Sequence, residues 1–203
     1  MAFPSVKLTT LASLAHRLPA ACWLAQRLEQ APERWATLPV WWVEGDLDMV
    51  ALDLVTTLSS DGQWLPPLPS TALDGSAPHP DGALLWVDGH LRLQGALTGG
   101  WHTPASTAEP SSPAVHALVM GDAQVHCALL RQGQLHVQGN LSVHTLLWGD
   151  GAPGGLTVLG QCAAQVGLFT RGYALQWNQP PSFDFTLQDA DPAGDSALGQ
   201  PAD

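Results

Sequence analysis

Charged side chains are scarce in this sequence. Asp, Glu, Lys and Arg make up only 12% of the 203 residues, about half of the ~25% that is usual in globular domains. Cations are the scarcer sign, because 7 Lys and Arg stand against 18 Asp and Glu, a formal net charge of -11. A chain so poor in cations is unsuited to a phosphate backbone, so we expect no nucleic-acid partner and favour a basic protein partner.

Cysteines and long apolar runs are also few. The three cysteines, Cys22, Cys127 and Cys162, are odd in number and lie in apolar surroundings, which indicates reduced, buried thiols in a reducing compartment. No apolar run approaches membrane-spanning length, and the N-terminus lacks a basic region followed by an apolar core. The sequence therefore predicts a cytoplasmic protein with no membrane partner.

Charge and periodicity divide the chain into three zones. Residues 1–34 hold four cations and two acids, whereas the remainder holds three cations and sixteen acids. We predict a helical N-terminal cap over 1–38, built from two short helices broken at Pro19 and ending before Pro32. Residues 39–188 are strand-like with Gly and Pro punctuation, apart from two Pro/Ser/Thr-rich loops at 65–82 and 100–116. The acidic tail 189–203 has no periodicity and is predicted to be disordered.

A repeat becomes visible in the second zone when five glycines are aligned. A valine lies two positions before each glycine, and apolar or small residues lie two, four and seven positions after it. The anchors are Gly45, Gly89, Gly121, Gly139 and Gly160. Their spacings of 18 and 21 fit single units, 44 fits two units, and 32 fits one unit plus the loop at 100–116.

Units of this length with two or three tiny strands are typical of one coil of a parallel β-solenoid. A single coil cannot bury its apolar side, but stacked coils place valine on valine in a continuous core. The glycine and its polar follower would form the bend between strands, with glycine tolerating the backbone angles and Asp or Asn bonding locally. The rival fold is a small antiparallel barrel, in which hairpin turns should dominate.

The run "LHVQGNLSVHTLLWGDGAPGGLTVLGQCAAQVGLFT", residues 135–170, resembles bacterial β-solenoid proteins of the polymer-forming, bactofilin-like group, which are commonly found beside polymorphic toxins as immunity proteins. The segment 151–154, "GAPG", departs from the Tyr-Asn-His-Gly that this group tends to have. The resemblance implies an immunity protein that covers a cognate toxin domain, or alternatively a bactofilin-like structural polymer. The matching residues are Gly139, Asn140, Leu141, Val143, Leu146, Leu147, Trp148, Gly149, Asp150, Gly155, Leu156, Val158 and Gly160.

Signals for catalysis are weak. The sequence has no serine in a glycine elbow, no phosphate-cradling loop and no Cys–His motif. His116, His126, His136 and His144 are close in sequence, but only His126 and His144 share a register, so a metal-dependent β-helix enzyme is the weaker alternative. We therefore predict a non-enzymatic protein with no cofactor and no metal.

We predict that one of two pairs, each made of an aromatic and an acid, belongs to the surface that contacts a partner. Trp86 and Asp88 lie in "LLWVDGH", and Trp148 and Asp150 lie in "LLWGDGAPG". Exposed tryptophans anchor interfaces, and carboxylates steer a basic partner such as a toxin surface. The competing interpretation is that Trp148 packs at a corner of the core. The sequence leaves open whether the chain forms a homodimer.

Overall fold

The structure is a computed structural model that describes residues 5–54, 81–99, 115–131, 133–151, 154–170 and 172–188. The described residues are mainly β. Most of both predicted loops and the whole of the tail 189–203 lie outside them. The chain begins with strand β1 (Ser5–Thr10), helix α1 (Leu11–Leu14), a 3-10 turn (Ala15–Arg17) and helices α2 (Trp23–Gln30) and α3 (Pro32–Trp35).

Six rungs of short strands follow, each made of two or three strands. They are β2 (Pro39–Glu44), β3 (Leu47–Met49) and β4 (Leu52–Asp53); β5 (Ala83–Val87), β6 (Leu91–Leu93) and β7 (Ala96–Gly99); β8 (Val115–Val119), β9 (Ala123–Val125) and β10 (Cys127–Leu130); β11 (Gln134–Val137) and β12 (Leu141–Gly149); β13 (Gly155–Val158) and β14 (Cys162–Phe169); β15 (Ala174–Trp177) and β16 (Ser182–Gln188).

Strands in equivalent places of successive rungs pair in parallel and form three ladders. The first ladder is the sheet β2-β5-β8-β11-β13-β15, with β1 added antiparallel at the edge of β2. The second ladder contains β3, β6, β9 and the first part of β12, and the third contains β4, β7, β10 and the second part of β12. Strands β14 and β16 extend both ladders. In the described residues β1–β2 is the antiparallel pair, which does not agree with a hairpin-built barrel.

The predicted valine column is confirmed. Val43, Val87, Val119, Val137 and Val158 pair in consecutive register and are fully buried. This column is part of one apolar cluster enclosed by the three ladders. A β-branched side chain stacked on itself in this way fills the interior with few rotamers to lose.

Two details of the predicted repeat are wrong. Val43 pairs directly with Val87, so the spacing of 44 is one rung plus intervening chain and not two units. At seven positions after the glycine, Ala96 and Leu146 do not point inward; their following residues, Leu97 and Leu147, take that place. Their rungs carry one extra residue at the corner between second and third ladders, seen in β12 as a register shift between Val143 and Leu146.

The polar residues that directly follow the anchor glycines connect neighbouring rungs. The prediction that they bond locally within their own turns is wrong. The Asp46 carboxylate accepts the His90 N–H at 2.9 Å, and His90 Nδ1 accepts the Asp122 N–H at 2.9 Å. Asp122 then accepts the Asn140 N–H, and Asn140 accepts the Gln161 N–H, each at 2.8 Å. These bonds satisfy backbone donors that the corner leaves outside the ladders.

Close approach explains most of the corner glycines. Only Gly45 among the five anchors has a positive φ, at 92°. At Gly139 an added Cβ would lie 2.8 Å from the backbone carbon and oxygen of Gly121. Any side chain there would push the rungs apart.

The N-terminal segment is only partly helical. Residues 5–10 form β1 and not the predicted helix, with Val6 and Leu8 packed against the main core. A third helix begins at Pro32, where proline is tolerated in the first turn. The helices pack on the outer side of the first ladder, while β1 covers its edge.

Candidate binding surface

The outer sides of the three ladders differ in chemistry and in cover. The outer side of the first ladder is apolar on its first three rungs and is covered there by the N-terminal segment. The outer side of the second ladder is polar and exposed, and that of the third becomes apolar toward the C-terminus. Apolar surface is unfavourable in water, so the first and third ladders carry the candidate surfaces for packing against another element.

The covered face is formed by Val40, Leu84, Trp86 and Leu118 on the first three rungs. All four side chains are fully buried, in one cluster with residues of the N-terminal helices. These contributors from the N-terminal segment are Leu11, Leu14, Cys22, Leu24, Trp35 and Leu38. Burial raises the pKa of the Cys22 thiol to about 11, so this thiol stays protonated beneath the cover.

Trp86 lies beneath the N-terminal segment. The expectation that its side chain is an exposed aromatic is wrong, because its exposed fraction is 0%. The side chain does point away from the ladder interior, in register with Trp42 and Leu118. The outward direction of the Trp86 side chain could be predicted from the sequence, but the helices that pack over this side chain could not.

Three ion pairs surround the covered face. Arg17 donates to Asp88 at 2.5 Å, Arg34 pairs with Asp81, and Lys7 lies 2.8 Å from Glu44. The bond to Asp81 raises the pKa of Arg34 further. The predicted contact Asp88 is thus paired within the chain, and cations of the N-terminal segment pair with the carboxylates beside the covered face.

The open face is the outer side of the third ladder on its last three rungs. It consists of Leu146 and Trp148 on β12, Val166 and Leu168 on β14, and Phe185 and Leu187 on β16. The register places Leu146, Val166 and Phe185 in one column and Trp148, Leu168 and Leu187 in the next. Exposure rises along the columns, from partly exposed on β12 and β14 to 57% at Phe185 and 60% at Leu187.

Trp148 is the predicted contact that lies on this surface. Its neighbours in the same column are Leu129 of β10 and Leu168 of β14. Asp150 follows at the end of the strand, where its carboxylate accepts the Thr170 hydroxyl and lies 3.6 Å from Arg131. The structure therefore brings together an aromatic and a partly exposed carboxylate at this site, whereas the equivalent pair at Trp86 is covered.

The second ladder provides the polar contrast. Its outer residues Asp48, Arg92, Gln124 and Ser142 are exposed. Arg92 bonds to Asp46 at 2.9 Å and to Asp48 at 3.3 Å. The backbone bond from His90, followed by the Arg92 bond, lowers the pKa of Asp46, so this carboxylate stays ionised.

The four histidines between positions 116 and 144 divide into an exposed neighbouring pair and two buried rings. His126 and His144 stack with centroids 5.2 Å apart, as their shared register predicts. His116 is buried against Trp23, and burial lowers its pKa to about 4. His136 is buried on the next rung of the same ladder, and its pKa is also lowered by burial. Within the described residues no group of three His, Cys, Asp or Glu could hold a metal ion.

Four residues of the open face were not singled out from the sequence: Val166, Leu168, Phe185 and Leu187. Part of the signal is present in "QVGLF", where Leu168 and Phe169 are adjacent and so reach both sides of the strand. In "SFDFTLQ" the apolar residues alternate, and the corner places Phe183 against the core but Phe185 and Leu187 on the outer side. The one-residue slip at the corner hides it, because fixed counting from the glycine assigns Leu146 to the interior.

No protein-family model, curated protein or solved structure matches this chain. Among the described helices none has the length and apolar character to cross a membrane.

Proposed function

We propose that this chain is a β-solenoid binding protein that performs no chemistry of its own. Six rungs in parallel register support the solenoid, with residues 1–38 as the N-terminal cap and 39–188 as the stacked body. β1 supports the cap, because it pairs with the first strand of the first ladder and covers an edge that would otherwise be open. In the cytoplasm its thiols would remain reduced.

The particular function we propose is that of an immunity protein, which neutralises a cognate bacterial polymorphic toxin by direct binding. The observation that carries the proposal is the open face, an apolar surface that runs from Leu168 to the exposed Phe185 and Leu187. The resemblance around residues 135–170 supports the toxin as partner. The acidic body supports a basic toxin surface, since opposite charge accelerates association.

Co-expression with the products of the flanking genes tests this function. We expect one of them to arrest growth alone, to be tolerated with this chain present, and to co-purify with it. Growth arrest that this chain does not relieve, with no co-purification, would exclude the immunity role.

A bactofilin-like structural polymer is the second candidate, and the open edges of β15 and β16 favour it. Each of these strands has one partner among the described strands, β13 and β14 respectively. Continuation of the first ladder into another copy is opposed by β1, which already occupies the edge of β2. Sedimentation separates the candidates: filaments that survive dilution favour the polymer, and a stable monomer or dimer excludes it.

A further inference from the structure

We propose that the open face binds an amphipathic helix of the partner, apolar on one side and carrying Lys or Arg at its rims. The inference rests on the proposed binding function and specifies the chemistry of the segment that docks. We draw the inference by analogy with the N-terminal segment of this chain, which covers the outer side of the first ladder.

The two faces have matching dimensions. Three rungs carry the covered face, on β2, β5 and β8, and three rungs carry the open face, on β12, β14 and β16. Strands about 4.8 Å apart place the outer two of three rungs about 10 Å apart, which is the width of one helix. The open face is therefore wide enough to hold one helix with its apolar side against the strands.

The cover of the first ladder also shows which charge fits at the rims. Arg17 and Lys7 lie 5.2 and 5.1 Å from the centre of the Trp42 ring, while their charged groups pair with Asp88 and Glu44. A basic rim thus satisfies both the aromatic faces and the carboxylates of this ladder. Trp148 and Asp150 offer the same two chemical groups on the third ladder.

The body that carries the open face is acidic. Residues 35–203 hold three cations against sixteen acids. Asp184 is exposed on β16 directly before Phe185, and Asp150 lies at the end of β12 beside Arg131 and Thr170. A basic segment is attracted to this acidic body, whereas a second copy brings like charges together.

Peptide binding measured by fluorescence anisotropy tests the inference. The probe is a helical peptide of about 18 residues with Leu and Trp on one side and Arg at both rims; a second peptide has Glu in place of every Arg. We expect the basic peptide to bind the full chain and the acidic one not to. Leu168→Arg and Leu187→Arg should each weaken binding about tenfold or more, an effect of about 1.4 kcal/mol.

Ser142→Arg is the matched control, because it adds the same charge to the polar outer side of β12 and should leave affinity within about threefold, or 0.6 kcal/mol. Leu187 is mostly exposed, so its variant keeps the fold if Leu168→Arg does not, and thermal unfolding verifies this. Equal binding by Leu187→Arg and Ser142→Arg overturns the inference, as does equal or absent binding of both peptides. A wild-type dimer dissociated by Leu187→Arg overturns it in favour of a second copy.

The same variants separate this inference from the proposed function. If a flanking-gene product co-purifies with the wild type and equally with Leu187→Arg, the function stands and the docking surface is wrong. If no product co-purifies with any variant, including the wild type, the function itself fails.

Discussion

The covered and open faces are chemically alike and differ in what lies over them. Each is an apolar, tryptophan-containing outer side of three stacked rungs. On the first ladder the N-terminal segment reduces the exposure of Trp86 to 0%, whereas on the third ladder Leu187 remains 60% exposed. A stacked β protein thus builds the same kind of surface twice, once beneath its own N-terminal segment and once on an exposed side.

The difference shows how to distinguish a structural surface from a binding surface in such a fold. Apolar outward residues do not separate the two, because both ladders have them. What distinguishes a covered outer side from an exposed one is whether the chain itself supplies a segment whose width and charge match that side. Residues 1–34 carry a charge of +2, and Arg17 and Arg34 among them pair with Asp88 and Asp81 beside the covered face.

The largest expected effect is the loss of stability on removing Trp86. Trp86→Ala should lower the free energy of unfolding by about 3–5 kcal/mol, because it leaves a cavity between the first ladder and α2. Trp148→Ala, on the partly exposed face, should cost less than half as much. Urea denaturation of both variants measures this, and equal losses would show that Trp148 is also a core residue.

The second largest effect is expected on acidification, which should lower the free energy of unfolding through a group beside the covered face. Neutral His116 donates from Nε2 to the Asp81 carbonyl and accepts the Gln134 N–H at Nδ1. Because burial lowers its pKa from 6.5 to about 4, the unfolded chain binds a proton more readily than the folded one. This contribution to stability is present above pH 6.5 and is lost as the pH falls toward 4, by up to about 3 kcal/mol.

Unfolding measured from pH 7 to 4 checks the prediction about His116. His116→Gln should be less stable at pH 7 but should show a shallower decline with acid. His144→Gln, on the exposed second ladder, is the control and should follow the wild type. A wild-type slope that His116→Gln leaves unchanged would assign the acid sensitivity to other groups.

Disrupting the corner between the first and second ladders should have a somewhat smaller effect. Gly139 joins β11 to β12 within one rung, and an added Cβ would collide with the Gly121 backbone of the preceding rung. Gly139→Ala should cost about 1–3 kcal/mol, as overpacking does. Gly45→Ala meets no atom within 4 Å but has a positive φ, so comparing their urea midpoints separates collision from backbone strain. An unaffected Gly139→Ala would contradict the close-packed corner.

The repeat could be predicted from the sequence because its signal is local. A valine two positions before each glycine recurs at every rung up to Val158, and parallel stacking places these residues in register. The last rung escaped detection because Trp177 occupies the valine place and no glycine follows two positions later. An aromatic group of Phe169, Trp177 and Phe183 ends the interior there.

The surfaces were harder to predict because the burial of an outward-facing side chain depends on segments that are distant in the sequence. Alternation shows that Trp86 points outward, but its burial depends on residues about 60 positions earlier, such as Leu24. The slip at Leu146 depends on a bulge that only pairing with the next rung reveals. One of the two predicted pairs was therefore placed on a face that the chain covers itself.

The smallest expected effect lies at the exposed end of the open face. Leu187→Gln should change the free energy of unfolding by no more than about 0.5 kcal/mol, since the side chain contributes little to the folded core. Leu118→Gln on the covered face should destabilise strongly, because its amide would be buried beneath the N-terminal helices. Binding of a hydrophobic dye to the native protein provides the second measurement. Leu187→Gln should weaken it without altering unfolding, because the dye occupies the apolar surface that a partner would otherwise cover. If Leu187→Gln lowered stability as Leu118→Gln does, the third ladder would have a cover within the chain, and the distinction between the two faces would be lost.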